Sequence, residues 1–388
     1  MKHILSLFAA VTLLSGGATV FAESAALVKE KDVVIYSDEG FHSAFPSVVR
    51  RPDGELIVAF RRAPNRAVLG EKSTNHTDPN SYLVEVRSTD NGETWTSDPS
   101  LILAHPYGGS QDPCMIQLAD DSLLVASYGW ALPRDETWKT WGNVVNAGKF
   151  VFFGGYLVRS TDGGASWSDL ILPPTLPGND TKTAFNTPMP AYNRGSMYQG
   201  KSGRIFWAVA RHVFDENGRR TENHLLTSDD GGLNWDYRSP IAQDPEIVFN
   251  EASIYETPKG DIVTFIRTAK FDDHTVIARS TDGGESFTWE DTGFQGHPHF
   301  PLRLPDGRVL LVYGYRHKPM GIRARILNPE CTDFKESKEI ILREDGGGSD
   351  LGYPWATMMA DGRVLVCYYF NVGNGTRHIA GTILRIDD

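Results

Sequence analysis

Four copies of one short phrase constrain this chain more than any other feature. Ser88-Thr89-Asp90-Asn91-Gly92-Glu93-Thr94-Trp95 returns with small changes at residues 160–167, 228–235 and 280–287, always as Ser-x-Asp-x-Gly-x-x-Trp or Phe. Such spacing means one supersecondary unit reused around an array. The phrase is built for a tight turn between two strands. Ser and Asp side chains bond nearby backbone N–H groups, Gly accepts positive φ, and the closing aromatic gives the hairpin an apolar anchor. We assign the phrase a structural role and no chemistry.

A second signal recurs upstream of each copy, where two apolar runs flank a turn. The turns are Asp53-Gly54, Asp120-Asp121, Ser202-Gly203, Lys259-Gly260, Asp306-Gly307 and Asp361-Gly362. Their flanks, such as Leu56-Ile57-Val58-Ala59-Phe60 and Val309-Leu310-Leu311-Val312-Tyr313, have the β-branched, apolar character of strands buried between sheets. Beyond the N-terminus no stretch carries a sustained helical period. Six units of about four strands predict an all-β fold, a six-bladed β-propeller. Units five and six lack a clean phrase, residues 331–334 being a worn remnant.

The first residues read as an export signal: Lys2, an apolar stretch from Ile4 to Leu14, then small residues ending Val20-Phe21-Ala22. Cleavage is expected after Ala22, leaving residues 23–388 as one propeller domain in the periplasm or the medium. The signal is too short and too Gly-interrupted to span a bilayer well, and no later segment is a candidate span. A formal net charge of −11 without basic runs argues against nucleic acid as partner. Cys114, Cys331 and Cys367 are the only cysteines, too few for a disulfide framework, so stability must come from the apolar core.

Inner strands of a propeller begin near its axis, so residues just before them converge on one face. Counting back from each turn gives His42 and Ala44, Gln111 and Asp112, Asn186, Asn250 and Glu251, His297 and His299, Asp350 and Tyr353. The second strands end in Arg61 and Arg62, Arg211 and His212, Arg267, and Arg316 and His317. Arginines gathered round the axis of an acidic protein suggest a site for a carboxylate or similar anion, which the guanidinium fork grips in bidentate fashion. His297-Pro298-His299 lacks the spacing of a zinc signature, so no metal is assigned, and no cofactor is implied.

With these motifs in view, the chain resembles the sialidase superfamily of six-bladed propellers with Asp boxes. Asn250-Glu251-Ala252-Ser253-Ile254, leading through Gly260 to Phe265-Ile266-Arg267, resembles the stretch that carries a catalytic Glu and the second of three substrate-binding arginines. Gly352-Tyr353-Pro354 resembles the last-blade stretch that carries the Tyr nucleophile. The resemblance further implies Asp78 as acid/base and either Arg323 or Arg325 as the third arginine. From the polar residues expected at the mouth, Arg61, Arg62, Asp112, His42, His299 and Arg316 are taken as further substrate contacts, although the resemblance itself does not call for the histidines. The first family arginine opens an Arg-Ile-Pro phrase, and here that phrase is Ala44-Phe45-Pro46. Losing a charge-assisted contact costs about 1.5 to 3 kcal/mol. Either the substrate differs or another group, such as Arg61, Arg62 or Arg66, compensates.

The chemistry implied is coherent. The anomeric carbon of a 2-keto-acid sugar bears a carboxylate, which repels an attacking Asp or Glu. A neutral phenol avoids this, and Glu251 can take its proton. Sialidases with a Tyr nucleophile thus depart from the two-carboxylate scheme common to most glycoside hydrolases. The leading expectation is an exported, exo-acting, retaining glycoside hydrolase that removes a terminal acidic sugar, sialic acid or a related 2-keto-3-deoxy acid, from glycans. A polysaccharide lyase or other glycosidase with His42 or His299 as base is the second reading. A non-catalytic glycan-binding propeller is the third.

Overall fold

In the computed structural model, residues 26–71, 76–216, 218–373 and 375–387 are described. The proposed export signal lies outside them. Six antiparallel sheets stand in chain order round an axis. Blade one comprises Phe41–Arg50, Leu56–Pro64, Tyr82–Ser88 and Ser100–Leu103. Blade two has Gly109–Ser110 and Cys114–Gln117 along its inner edge, then Leu123–Ala131 and Phe150–Ser160, with Asn146–Ala147 outermost. Blade three runs Tyr198–Gln199, Ile205–Asp215, Gly218–Ser228 and Asp236–Ala242, and blade four Val248–Glu256, Ile262–Ala269, His274–Ser280 and Thr288–Gln295. Blade five runs His299–Arg303, Val309–Tyr315, Gly321–Leu327 and Ile340–Arg343.

Blade six closes the ring. Its inner three strands, Gly352–Met358, Val364–Phe370 and His378–Asp387, come from the end of the chain, and its outer strand, Ala26–Tyr36, comes from the start. Joining both ends in one sheet abolishes the open seam that a linear array would leave. All six predicted turns connect first and second strands of a blade.

The repeated phrase does what its chemistry dictates. Ser88 Oγ donates to Asp90 Oδ1 at 2.8 Å and accepts from the Gly92 N–H at 2.8 Å, while Asp90 Oδ1 accepts from the Thr94 N–H at 2.9 Å. Ser160, Asp162, Gly164 and Ser166 repeat the pattern in blade two. In blade five the worn copy survives through Asn328, whose Oδ1 accepts from the N–H groups of Glu330 at 3.0 Å and Thr332 at 3.2 Å.

Between the blades the apolar faces of the strands interlock. Val48, Leu56, Leu124, Trp207, Trp355 and Leu365 share one cluster linking blades one, two, three and six. The three cysteines are free and buried. The inner edges of blades three and four meet closely at Gly195, with φ +148°, where an added Cβ would fall 1.8 Å from the Ala252 carbonyl oxygen. Gly195→Ala should therefore push the inner edges of blades three and four apart and cost about 3 kcal/mol. A urea midpoint equal to that of the wild type would show that the edge can slide instead.

Candidate functional site at the axial mouth

The inner strands do not run straight into the axis. Three of them break register at the same level: between Ala44 and Ser47 in blade one, Phe249 and Ala252 in blade four, and Gly352 and Trp355 in blade six. The residues thrown out of the ladder include Phe45, Asn250, Glu251 and Tyr353. In blade two the inner edge is interrupted at Gln111-Asp112-Pro113. Bulges of this kind re-aim side chains, and they concentrate beside active sites. Phe45 and Tyr353 also hold φ of 59° and 52°, a strained region for aromatic residues that persists only where the surroundings over-determine it.

The bulges bring Tyr353 and Glu251 together from blades six and four. Tyr353 Oη donates to Glu251 Oε1 at 2.5 Å. Arg267, from the second strand of blade four, donates through Nη1 to both Glu251 oxygens at 3.0 and 3.2 Å. Arg316 follows the second strand of blade five, and Arg267 lies near the end of that of blade four; the Arg316 guanidinium lies 5.2 Å from the Tyr353 ring centroid. It is anchored on the Leu351 carbonyl at 3.0 Å and Tyr369 Oη at 3.0 Å. Beneath, Arg194 donates to the carbonyls of Pro46 and Tyr353 and lies 5.0 Å from the Tyr353 ring.

The electrostatics follow from this packing. Burial works to raise the Glu251 carboxyl, but Arg267, the Tyr353 hydroxyl and Arg316 together outweigh it and hold it down at about 2. Burial, then the Glu251 charge, drives the Tyr353 phenol well above its ordinary value. The resting pair is thus a neutral phenol donating to a carboxylate.

Asp78 is buried at the same mouth and accepts from Arg66 Nε at 2.6 Å, Arg66 Nη2 at 3.2 Å and the Asn80 N–H at 2.8 Å. Asp112 is 2% exposed, and burial lifts its carboxyl to about 6. It lines a pocket with Glu251, Tyr128, Trp130, Phe152 and Tyr192. Tyr128 and Tyr192 form the wall of that pocket, with ring centroids 3.9 Å apart.

The three arginines that could replace the missing prong take different places. Arg61 is buried with its Nη1 3.5 Å from His42 Nδ1 and feels the charges of Asp78, Asp112 and Asp350. Arg62 instead turns to Asp38 at 2.7 Å and stacks on Phe41, and Arg66 holds Asp78. His42 bonds Asp350 Oδ2 at 3.0 Å, and Asp350 also accepts from Tyr369 Oη and Arg377 Nε.

Other expected residues lie elsewhere. Arg323 bonds the carbonyls of Arg343 and Pro319 and stacks on Tyr315, while Arg325 bonds Tyr313 Oη, the Ser337 carbonyl and the face of Phe294. Both are engaged inside blade five, whereas Arg316 lies beside the Tyr353 ring. His299 faces Thr275 Oγ1 at 2.7 Å, between blades four and five. Asn186 sits exposed in a loop, and blade three contributes Asn193 and Arg194 to the mouth instead. Among the described residues one group has the donor types of a metal centre: Asp273, His297 and His317.

A family model described as "BNR repeat-like domain" matches residues 139–366, more than half of the chain. The chain belongs to the BNR repeat-like domain family. This BNR-repeat propeller is 58% identical to a crystal structure described as a protein of unknown function from Dyadobacter fermentans, with a TM-score of 0.90 over 93% of this chain and 99% of that one. It also superposes on the Hadza microbial sialidase Hz136, at 17% identity and a TM-score of 0.63, covering 88% of this chain and 65% of that one. The intramolecular trans-sialidase from Ruminococcus gnavus matches at 14% identity and a TM-score of 0.58, covering 94% and 97%. At such identities the likeness is one of fold. No curated protein matches the chain. Among the described residues no helix is long and apolar enough to cross a membrane.

Proposed function

We propose that this BNR-repeat propeller is an exported, exo-acting, retaining glycoside hydrolase that releases a terminal 2-keto-3-deoxy acid sugar, sialic acid or a relative, from glycans. The observation that carries the reading is the 2.5 Å bond from the Tyr353 hydroxyl to Glu251 beside two arginines. A phenol paired with a carboxylate suits attack on an anomeric centre that already bears a negative group. Arg267 and Arg316 take the substrate carboxylate, and Arg61 adds positive charge where Ala44 offers none.

The same arginine that binds the substrate tunes the base. At rest Arg267 is the largest of the influences holding Glu251 down. When a substrate carboxylate shares that guanidinium, Glu251 gains basicity at the moment the Tyr353 proton must move. Tyr353 Oη then bonds to the anomeric carbon as the bond to the leaving oxygen breaks. The phenol proton passes to Glu251, and the leaving oxygen takes a proton from Asp78, a role that requires Arg66 to release Asp78 so that its carboxyl is protonated. Water, activated by Asp78, next attacks the same carbon. The Tyr353 Oη bond breaks, Glu251 returns the proton, and configuration is retained. Asp112 and the aromatic wall meet the sugar's hydroxyls and apolar face. Neither histidine considered as a lyase base is disengaged: His42 holds Asp350 and His299 holds Thr275.

A screen of aryl glycosides of sialic and related keto-acids, beside uronides and neutral sugars, tests the reading, and release confined to neutral sugars contradicts it. Leaving-group dependence tests Asp78. Asp78→Asn should lose about 10² to 10⁴ in kcat/KM on a natural glycan, yet far less on an aryl glycoside whose phenol departs unprotonated. Equal losses on both substrates would remove Asp78 from the acid role.

A further inference from the structure

We propose that Asp273, His297 and His317 form a zinc site with three protein ligands and a free coordination position, at the rim of the mouth between blades four and five. The three side chains come from separate elements. Asp273 lies in the turn between the second and third strands of blade four, His297 leads into the inner strand of blade five, and His317 follows that blade's second strand. Their donor atoms all lie within 4.8 Å of one another. Both imidazole Nε2 atoms stand 3.4 Å from the same oxygen, Asp273 Oδ2.

That distance discriminates between a hydrogen-bonded trio and a metal site. It exceeds the 2.7 to 3.2 Å of an ordinary N–H···O bond. It matches the edge of a tetrahedron whose centre lies about 2.0 to 2.1 Å from nitrogen and oxygen ligands, which is about 3.4 Å. His317 Nε2 is a buried atom with no hydrogen-bond partner, and it is aimed into the cluster. Two imidazoles with one carboxylate suit zinc, whereas calcium and magnesium call for an all-oxygen set.

The surroundings suit an open site. A hollow lined by Lys270, Asp272, Gln295 and His317 lies beside Asp273, so a water or a substrate oxygen can reach the fourth position. The His297 carbonyl packs 3.4 Å from where a Cβ on Gly352 would stand, one residue before Tyr353. An ion there therefore sits beside the acid-sugar site and can orient an oxygen of its ligand. The zinc site itself does not depend on the glycosidase reading.

Chelator-treated full chain, titrated with zinc chloride by calorimetry and with cobalt(II) by visible absorption, tests the proposal without any activity assay. One zinc per chain is expected, with cobalt d–d bands of tetrahedral intensity and no competition from calcium. His317→Ala should weaken zinc binding by about 100-fold or more, as should Asp273→Asn. His274→Ala, altering a neighbouring histidine paired with Asp291, should leave it unchanged. His317 is partly exposed, so its variant is expected to fold, and circular dichroism checks this. Folded wild-type chain that takes up no zinc overturns the proposal. So does zinc binding that survives both ligand substitutions.

Discussion

Tyr353→Phe should lower kcat by about a thousandfold or more while leaving substrate affinity within a few-fold of the wild type. The substitution removes one oxygen and keeps the ring. That ring packs 4.9 Å from Phe45, 5.0 Å from the Arg194 guanidinium and 5.2 Å from that of Arg316. None of these contacts needs the hydroxyl. Glu251 loses one donor but keeps both bonds from Arg267, so its charge stays compensated. The lost bond to a charged group is worth about 1.5 to 3 kcal/mol of stability, which a domain of this size tolerates. Turnover and binding therefore separate, and steady-state kinetics beside calorimetric titration with a glycan measure both. A variant retaining a tenth of wild-type kcat would place the nucleophile elsewhere. A wild-type chain that binds glycans without turnover would make this propeller a lectin.

Arg267→Ala should be the most damaging single change to stability at the mouth, and its effect should depend on pH in a defined direction. In the wild type, Glu251 is held at about 2, below the ordinary carboxyl value of 4.5. A carboxylate depressed on folding adds stability that is present above the unfolded value and fades as pH falls from about 4.5 through about 2. For this shift that stability is about 3 kcal/mol. Without Arg267 the largest opposing influence on burial disappears, and a carboxylate that is 15% exposed is left short of a partner. The melting temperature should drop by about 4 °C at pH 7, and the gap from wild type should narrow as the pH is lowered through 4. A gap that is constant with pH would mean that Arg267 acts by packing alone. The same variant should lose affinity for carboxylate-bearing sugars and not for their methyl esters.

The fold was legible because its signals are local. Each box is a closed set of bonds among residues within one short phrase, such as Ser88, Asp90, Gly92 and Thr94, so it can be recognised without knowing what surrounds it. The pairing of Tyr353 with Glu251 was legible through the phrases that carry them. Which blade-five arginine faces Tyr353 was legible only in part, Arg316 being one of three named from the sequence. Arg316, Arg323 and Arg325 all belong to blade five, and what separates them is which face of the strand each occupies and how far the strand reaches toward the axis. Arg316 comes just after its strand and Arg267 near the end of its own, a parallel visible in the sequence, which puts both at the close of second strands.

Blade three misleads for a different reason. Its inner strand is reduced to Tyr198–Gln199, so no period marks where the strand meets the axis, and counting back lands on Asn186 rather than on Asn193 and Arg194. Bulges leave only a partial trace, because a register break is a relation between two strands. Phe45-Pro46 and Tyr353-Pro354 show the residue pair that makes two of them, a bulky aromatic before a residue that cannot donate to the ladder. The Asp273, His297 and His317 group unites residues from two blades and no common motif, which is why local spacing points to no metal.

Whether the Tyr353 oxygen bonds to the sugar is tested most directly by incubating the protein with a 3-fluoro keto-acid glycosyl fluoride, which forms the glycosyl-enzyme and slows its breakdown, followed by peptide mass spectrometry. One sugar per chain is predicted, on Tyr353, and none in Tyr353→Phe. An adduct on Glu251 or Asp78, or turnover of the natural glycan with no adduct at all, would contradict a Tyr353 nucleophile.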